Sequence, residues 1–308
     1  MTNEMLEGIL PIWKPVGFTS HDVVAKARRI LRIKRIGHTG TLDPQVTGVL
    51  PLCIGRATRL VEYIQELPKE YEATLKIGLA TDTEDAGGQV IEQVDQVHLT
   101  EAQVRETLES FVGDIEQVPP MYSAVKVDGK RLYELARQGI EVERKSRKVT
   151  IYNIEILDMD LTMDHPEIRF RVQCSKGTYI RTLCVDVGKA LGYPAVMSEL
   201  VRTSTGSMGR EQCLTLEQLE LLQQQGGVSD KLIPAEIALA HMPTVRLSEE
   251  QTRKALLGQK LTLTPSEQTA LMDAAELNYA VYSETSQFIG IFQWDRDKRE
   301  LQPVKVFS

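Results

Sequence analysis

The chain of 308 residues has room for one large domain, or a large one with a small companion, and can bury a sizeable core. Hydrophobic residues at 42% and charged residues at 26% are those of an ordinary folded protein and exclude disorder, collagen-like repeats and low-complexity architecture. The formal net charge of −7, taken alone, speaks against a nucleic-acid partner.

In chain order, Ser20 and Asp22 cap a 3.6-residue pattern. Val23, Val24, Ala27, Ile30 and Leu31 share one face of it, and Arg28, Arg29 and Arg32 lie near the other, which predicts a basic amphipathic helix. The polar stretch GHTGTLDPQVTG, Gly37 to Gly48, reads as loop and leads into the apolar run GVLPLCIG and two further arginines, Arg56 and Arg59. From Tyr71 the alternation of Tyr71, Ala73, Leu75 and Ile77 with Glu72, Thr74 and Lys76 predicts a half-buried strand entering the turn-rich TDTEDAGG. Residues 100 to 112 read as helix.

Lys126 to Lys148 is polar and basic, with a short helical pattern around Leu132 to Arg137, and reads as an excursion from the core. Ile168, Phe170, Val172 and Cys174 alternate with Arg169, Arg171 and Gln173 in a strand that runs through SKGT into a helix carrying Leu183, Val187, Ala190 and Leu191. Such a junction is a natural place for a site. Gln223 to Gly227 reads as a linker, followed by a helix near Ile233 to Ala240. After Pro243 the short apolar alternations LTL, ALM, YAVY, FIGIF and VKVF predict a small all-β domain. Strands and helices without strict βαβ alternation place the first part of the chain in the α+β class.

No uncharged apolar run approaches the roughly 20 residues of a spanning helix, and the N-terminus has no basic stretch before an apolar one. A cytoplasmic protein without a membrane partner is expected. Cys53, Cys174, Cys184 and Cys213 form no CxxC pair and the histidines are dispersed, so reduced thiols and no metal are expected.

The charge is segregated. Residues 10–60 carry nine basic and two acidic side chains, 126–148 eight and four, and 169–210 seven and two. These segments could form one face toward phosphate, although the same counts fit several ordinary solvated faces.

Nucleotide, redox and metallohydrolase signatures are missing from the sequence, so no cofactor is expected. The chemistry then falls to Asp43, Tyr71, Asp85, Tyr179 and Arg181. On spacing alone an Asp-Pro turn is the first account of Asp43, a packed aromatic that of Tyr71, and plain turn residues that of Asp82 and Asp85. Arg181 opens a helix, where the dipole disfavours a cation, so a carboxylate or phosphate partner is expected for it.

Six ordered motifs change that balance: KPVGFTS (Lys14 to Ser20), GHTGTLDP (Gly37 to Pro44), KEY (Lys69 to Tyr71), TDTEDAGG (Thr81 to Gly88), PPMYSAVK (Pro119 to Lys126) and CSKGTYIRT (Cys174 to Thr182). Together they resemble the TruB family of bacterial tRNA pseudouridine-55 synthases over nearly the whole chain. Thr41 stands where alanine is also seen, and Gln45-Val46 where Leu-Ala is common. The resemblance implies an α+β catalytic domain over 1–242 on a mixed, largely antiparallel sheet, with a thumb-like insertion at about 126–148. It also implies a PUA-like β domain over 243–308.

By the same resemblance Asp43 is the catalytic aspartate, Arg181 its partner, and Tyr71 and Tyr179 the active-site tyrosines. Asp85 contacts the flipped base and His38 lies near the displaced loop. From the charge pattern, Lys14, Arg28, Arg29, Arg32, Lys126 and Lys130 are assigned to substrate binding. The expected partner is the T arm of tRNA, met by a monomer without a protein partner, metal or cofactor. The implied reaction isomerises uridine 55 by base flipping, cleavage of the glycosidic bond and rejoining through C5. A glycosyl ester, a glycal and attack at C6 all remain open as intermediates. Two other readings stand beside it: a non-catalytic protein that opens the T loop, and a glycosidase using Asp43 with Asp85.

Overall fold

The computed structural model describes residues 6–264, 268, 271 and 278–307. The chain opens with β1 (Gly8–Lys14) and α1 (Ser20–Leu31), then β2 (Ile36–His38) and β3 (Thr47–Ile54). It continues through α2 (Val61–Gln65), β4 (Lys69–Ile77), the hairpin β5 (Leu79–Thr81) and β6 (Val90–Gln93), α3 (Glu101–Ser110) and β7 (Gly113–Gln117). A small excursion follows, made of β8 (Lys126–Val127), β9 (Lys130–Arg131) and α4 (Leu132–Ala136). The long strand β10 (Arg147–Asp160) and β11 (Glu167–Cys174) lead to α5 (Ile180–Leu191), β12 (Ala195–Thr205) and β13 (Met208–Gly209). The helices α6 (Leu216–Gln225) and α7 (Ala235–Ala238) complete this part.

Beyond lie β14 (Thr244–Leu247), α8 (Glu249–Leu256), β15 (Leu261–Thr262), β16 (Asn278–Ser283), β17 (Phe288–Asp295) and β18 (Glu300–Val306).

One sheet runs β1-β3-β12-β4-β11-β10-β7, with β2 added on β3 and β13 on β12. Every pairing in it is antiparallel except β3 with β12, so the sheet is mixed and largely antiparallel. A second sheet, β14-β16-β17-β18-β15, shares no strand with the first and forms the C-terminal, PUA-like β unit.

β1 and β3 read as continuous apolar runs because both of their faces are covered. Leu10, Ile12, Leu50, Leu52 and Ile54 pack beneath α1 and α6, whereas Ile9, Val49 and Cys53 face the other way. There they meet Leu60, Ile64, Leu239 and, from the C-terminal unit, Ala280, Ile291 and Phe307. The β4–β11 half carries its own core, in which Leu75, Ile77, Ile168 and Phe170 pack on Val104, Leu108, Leu183 and Val187 of α3 and α5.

Several local expectations shift. Helix α1 is capped by Thr19, which accepts from the Asp22 backbone while Asp22 accepts from the Thr19 backbone. Ser20 is turned inward instead, toward Leu42. The alternation through Val149 and Ile151 makes β10 a 14-residue strand that the charge of the preceding segment had concealed. The C-terminal unit is not all β, since Ser248 and Gln251 form a capping box that starts α8. The alternation at 270–272 lies outside the described residues apart from Leu271.

Gly48 fixes how closely β3 and β12 approach. Its φ is +128°, and a Cβ there would sit 2.2 Å from the Arg202 carbonyl oxygen. A side chain at this position is both strained and blocked by backbone. Gly48→Ala is therefore expected to lower stability by more than about 2 kcal/mol in urea unfolding. Gly192→Ala, at φ +83° with open space around it, should cost only about 1 kcal/mol.

Candidate active site

The loop between β2 and β3 carries Asp43 and is held from several sides. Leu42 and Val46 bury their side chains in the core beneath α1. The Leu42 amide donates to Ser20 Oγ at 2.9 Å, and the Gly17 amide donates to the Pro44 carbonyl at 2.8 Å. Lys14 Nζ donates to the carbonyls of Phe18 at 2.5 Å, Pro15 at 2.9 Å and Pro44 at 3.2 Å. Lys14 is thus fully buried. Burial pulls its ammonium down to about 8. Its expected place at the substrate is corrected: a side chain closed off by three carbonyls braces the loop from within and meets no phosphate.

Opposite the loop, Arg181 lies at the start of α5 with 5% of its side chain exposed. Its Nη2 is 3.0 Å from Asp43 Oδ2, and its Nη1 is 3.5 Å from Asp85 Oδ2. The same two nitrogens donate to the Tyr122 carbonyl at 2.8 Å and the Thr83 carbonyl at 3.0 Å. One guanidinium therefore gathers three distant loops around two carboxylates, and it meets the carboxylate partner expected from its position on the helix.

Asp85 is further fixed as an Asx turn, accepting from Thr83 Oγ1 at 2.8 Å and the Gly87 amide at 3.0 Å. Among the described residues the Asp43 carboxylate has no comparable turn bonds, and 46% of its side chain is open. The protein packed around it raises its carboxyl above the ordinary range. Arg181 and Lys14 oppose that rise, and Asp85 adds to it.

Tyr71 on β4 packs between the two cores of the main sheet. Burial pushes its phenol up, against the nearby Arg202 guanidinium, which also hydrogen-bonds it. Tyr179 caps α5. The Gln117 side chain clasps its backbone in both directions, accepting from its amide at 3.0 Å and donating to its carbonyl at 3.2 Å. His38 ends β2. Its ring stands edge-on to His21 at 5.2 Å, its Nδ1 accepts from the Gly40 amide at 3.4 Å, and burial holds its pKa below the ordinary value.

Arg28, Arg29 and Arg32 line an open groove with Ile33 and Lys34 along α1. Arg28 is partly committed, donating to the Ile36 carbonyl at 2.7 Å. Lys126 and Lys130 are exposed on the β8–β9 hairpin.

Several residues of the site are not singled out by their type, although Lys69 lies in KEY and Glu84 in TDTEDAGG. Arg202 is 2% exposed in the apolar strand β12, directly across from Tyr71. Its Nε donates to Val49 O at 2.7 Å and its Nη2 to Gly40 O at 3.4 Å, so it holds both ends of the Asp43 loop. A lone arginine within AVMSELVRTST is the one sequence feature that could have pointed to it. Lys69 is likewise buried, donates to Gln65 and Leu67 carbonyls, and is pulled down to about 8. Glu84 has φ +64° and a half-buried carboxylate that accepts from Thr182 Oγ1 at 2.8 Å. Nothing in its type or spacing announces that role.

A half-open carboxylate held by a buried arginine stands here on a mixed sheet with an appended β unit, a fold also found in box H/ACA ribonucleoprotein complexes. An archaeal box H/ACA Nop10–Cbf5 complex matches with a TM-score of 0.70 and 26% identity, over 99% of this chain and 86% of that one. A box H/ACA ribonucleoprotein bound to a substrate RNA containing 2′-deoxyuridine gives 0.71 and 24% over the same shares, a likeness of fold.

Residues 28–180 match the TruB family pseudouridylate synthase N-terminal domain, and 181–240 match the tRNA pseudouridylate synthase B C-terminal domain. The protein named tRNA pseudouridine synthase B in Bacillus subtilis (strain 168) is 46% identical over 305 residues, 98% of both chains. The one so named in Halalkalibacterium halodurans is 48% identical over 295 residues, 94% of this chain and 93% of that one. The chain belongs to the TruB family of pseudouridylate synthases.

Arg181→Met should move the titration of Asp43 further up, because the charge opposing desolvation is gone. Carboxyl-labelled aspartate NMR checks this. An Asp43 midpoint at or below the ordinary carboxylate value, or one unmoved by the substitution, would contradict this geometry.

Proposed function

We propose that the protein converts uridine 55 in the T loop of tRNA to pseudouridine. The observation that carries this reading is the 3.0 Å ion pair between buried Arg181 and half-exposed Asp43, in a chain that matches named tRNA pseudouridine synthases B along almost its entire length.

The reaction breaks the bond from uracil N1 to ribose C1′, turns the base and joins C5 to C1′. It calls for a carboxylate at the reacting carbons, a base for the C5 proton and a pocket for an extruded nucleotide. Asp43 supplies the carboxylate, as nucleophile or general base. Arg181 keeps it ionised and aimed while the pocket excludes water. Tyr71 offers a face on which the base stacks and a hydroxyl for C5 deprotonation, and Tyr179 forms another wall. Asp85 meets the base edge.

Extruding the uridine costs a few kcal/mol, offset by stacking and hydrogen bonds in the pocket. His38, neutral at physiological pH, suits the space the base vacates. Arg28, Arg29, Arg32, Lys126 and Lys130 follow backbone phosphates, since A-form RNA is met by shape and charge. The protein acts as a monomer divided near Pro243 into the catalytic and PUA-like parts, with the segment of about 126–148 as its thumb.

Two measurements test this. Purified protein with a tRNA transcript tritiated at uridine C5 should release about one equivalent of tritium, mapped to the T loop. Asp43→Asn should release none while binding the tRNA as tightly. Undiminished release by the variant would remove Asp43 from the chemistry, and tight binding with no release by wild type would leave a tRNA-binding protein.

Because Asp43 must be ionised and its pKa is raised, the wild-type rate should fall as pH drops through a value above the ordinary carboxylate range. Separately, replacing Arg29 and Arg32 by Gln should weaken tRNA binding and leave the rate at saturation unchanged. The slope of log affinity against log salt should become shallower by about one for each phosphate that the variant no longer neutralises.

A further inference from the structure

Arg147, the first residue of β10, stands where the excursion rejoins the sheet. Its guanidinium carbon lies 4.7 Å from the centre of the Tyr179 ring. Nε and Nη2 are both shielded from solvent, and neither has a hydrogen-bond partner among the described residues. In sheet register Arg147 faces Gln117, the residue that clasps the Tyr179 backbone. On its other side is Gly177, where a Cβ would come within 3.6 Å of Nη1.

The identity of the two idle nitrogens is informative. Nε and Nη2 together form one edge of the guanidinium, the pair of parallel donors that matches two oxygens of a phosphate. Stacking on Tyr179 uses the face of the group and leaves these in-plane donors unspent. Buried donors without partners are costly, and this pair calls for a partner that the described side chains do not supply, a place a bound anion would fill.

We propose that the Nε–Nη2 edge of Arg147 seats a phosphodiester of the RNA substrate, one flanking the nucleotide held against Tyr179. The proposal rests on the reading of the substrate as RNA under Proposed function. Both nitrogens are covered in the free protein, so seating the phosphate requires the groups that cover them to move aside. Tyr179 then lies between a neutralised arginine and the base, and correct seating of the backbone is felt at the wall of the pocket.

The test is a binding cycle on the full-length protein with a T stem-loop RNA carrying a methylphosphonate at one linkage at a time. In wild type, one linkage beside the target uridine should weaken binding by about tenfold. R147M should weaken binding of the all-phosphate RNA by a similar factor and show no further loss at that linkage. R147K, which keeps the charge without the edge, should recover only part of the affinity and can replace R147M in the cycle if the latter does not fold. Losses that add at every linkage, or no sensitive linkage in wild type, would overturn the proposal. Tritium release from the same stem-loop separates the two readings: its absence refutes the assigned reaction, while the binding cycle still decides Arg147.

Discussion

The contact on which the rest of the structure depends is that of Arg181 with Asp43. An almost fully buried guanidinium is costly to desolvate, and breaking a pair of this kind leaves an uncompensated charge. Here the cost is offset by two carboxylates and two backbone carbonyls drawn from separate stretches of chain. Those stretches are the β2–β3 loop, the turn after β5 and the segment before the excursion, so the guanidinium ties three parts of the chain together as well as charging the site. Asp43 remains the least tied of its partners. It is held in place by one arginine and a braced loop, with its carboxylate open on one side.

The brace is cationic. Lys14, Lys69 and Arg202 are all buried beneath the site, and their polar partners are mainly backbone carbonyls. Carbonyl dipoles stabilise a cation without supplying a competing anion, so the positive field is left for Asp43 and for whatever anion reaches the cleft. Burial takes both lysines down to about 8. A carboxylate in their place would have neutralised the field.

The main sheet supplies the rigidity this needs. Its β1–β3 half is covered on both faces, by helices on one side and by the C-terminal unit on the other. The C-terminal strands are therefore part of the support of the scaffold that carries the Asp43 loop. Arg59 and Lys305 reinforce that seam, through a bond to the Val306 carbonyl at 2.5 Å and an ion pair with Glu62 at 3.1 Å. At the other end of the sheet, Arg169 and Arg171 are engaged by Glu72 and Glu155. Part of the basic charge counted in the sequence is thus already neutralised within the protein.

Periodicity was enough to foresee α1, β4, β11 and α5, because each buries one face and alternates accordingly. The ordered motifs named the Asp43 loop and Arg181, and the position of that arginine at a helix start already asked for an anion. Other features depend on residues far apart in the chain. The sequence does not say that Lys14 turns inward, since a lysine after an apolar strand looks the same whether its ammonium meets water or three carbonyls. It does not pair Arg202 with Tyr71 either, because that register arises only when β12 inserts between β3 and β4. Nor does it show that one edge of Arg147 lacks a partner among the described residues, since that depends on where the sheet sets its side chain beside Tyr179. Local pattern determined the elements and the chemical types at the site. Packing across more than a hundred residues decided which charges are spent on the fold and which are left for a substrate.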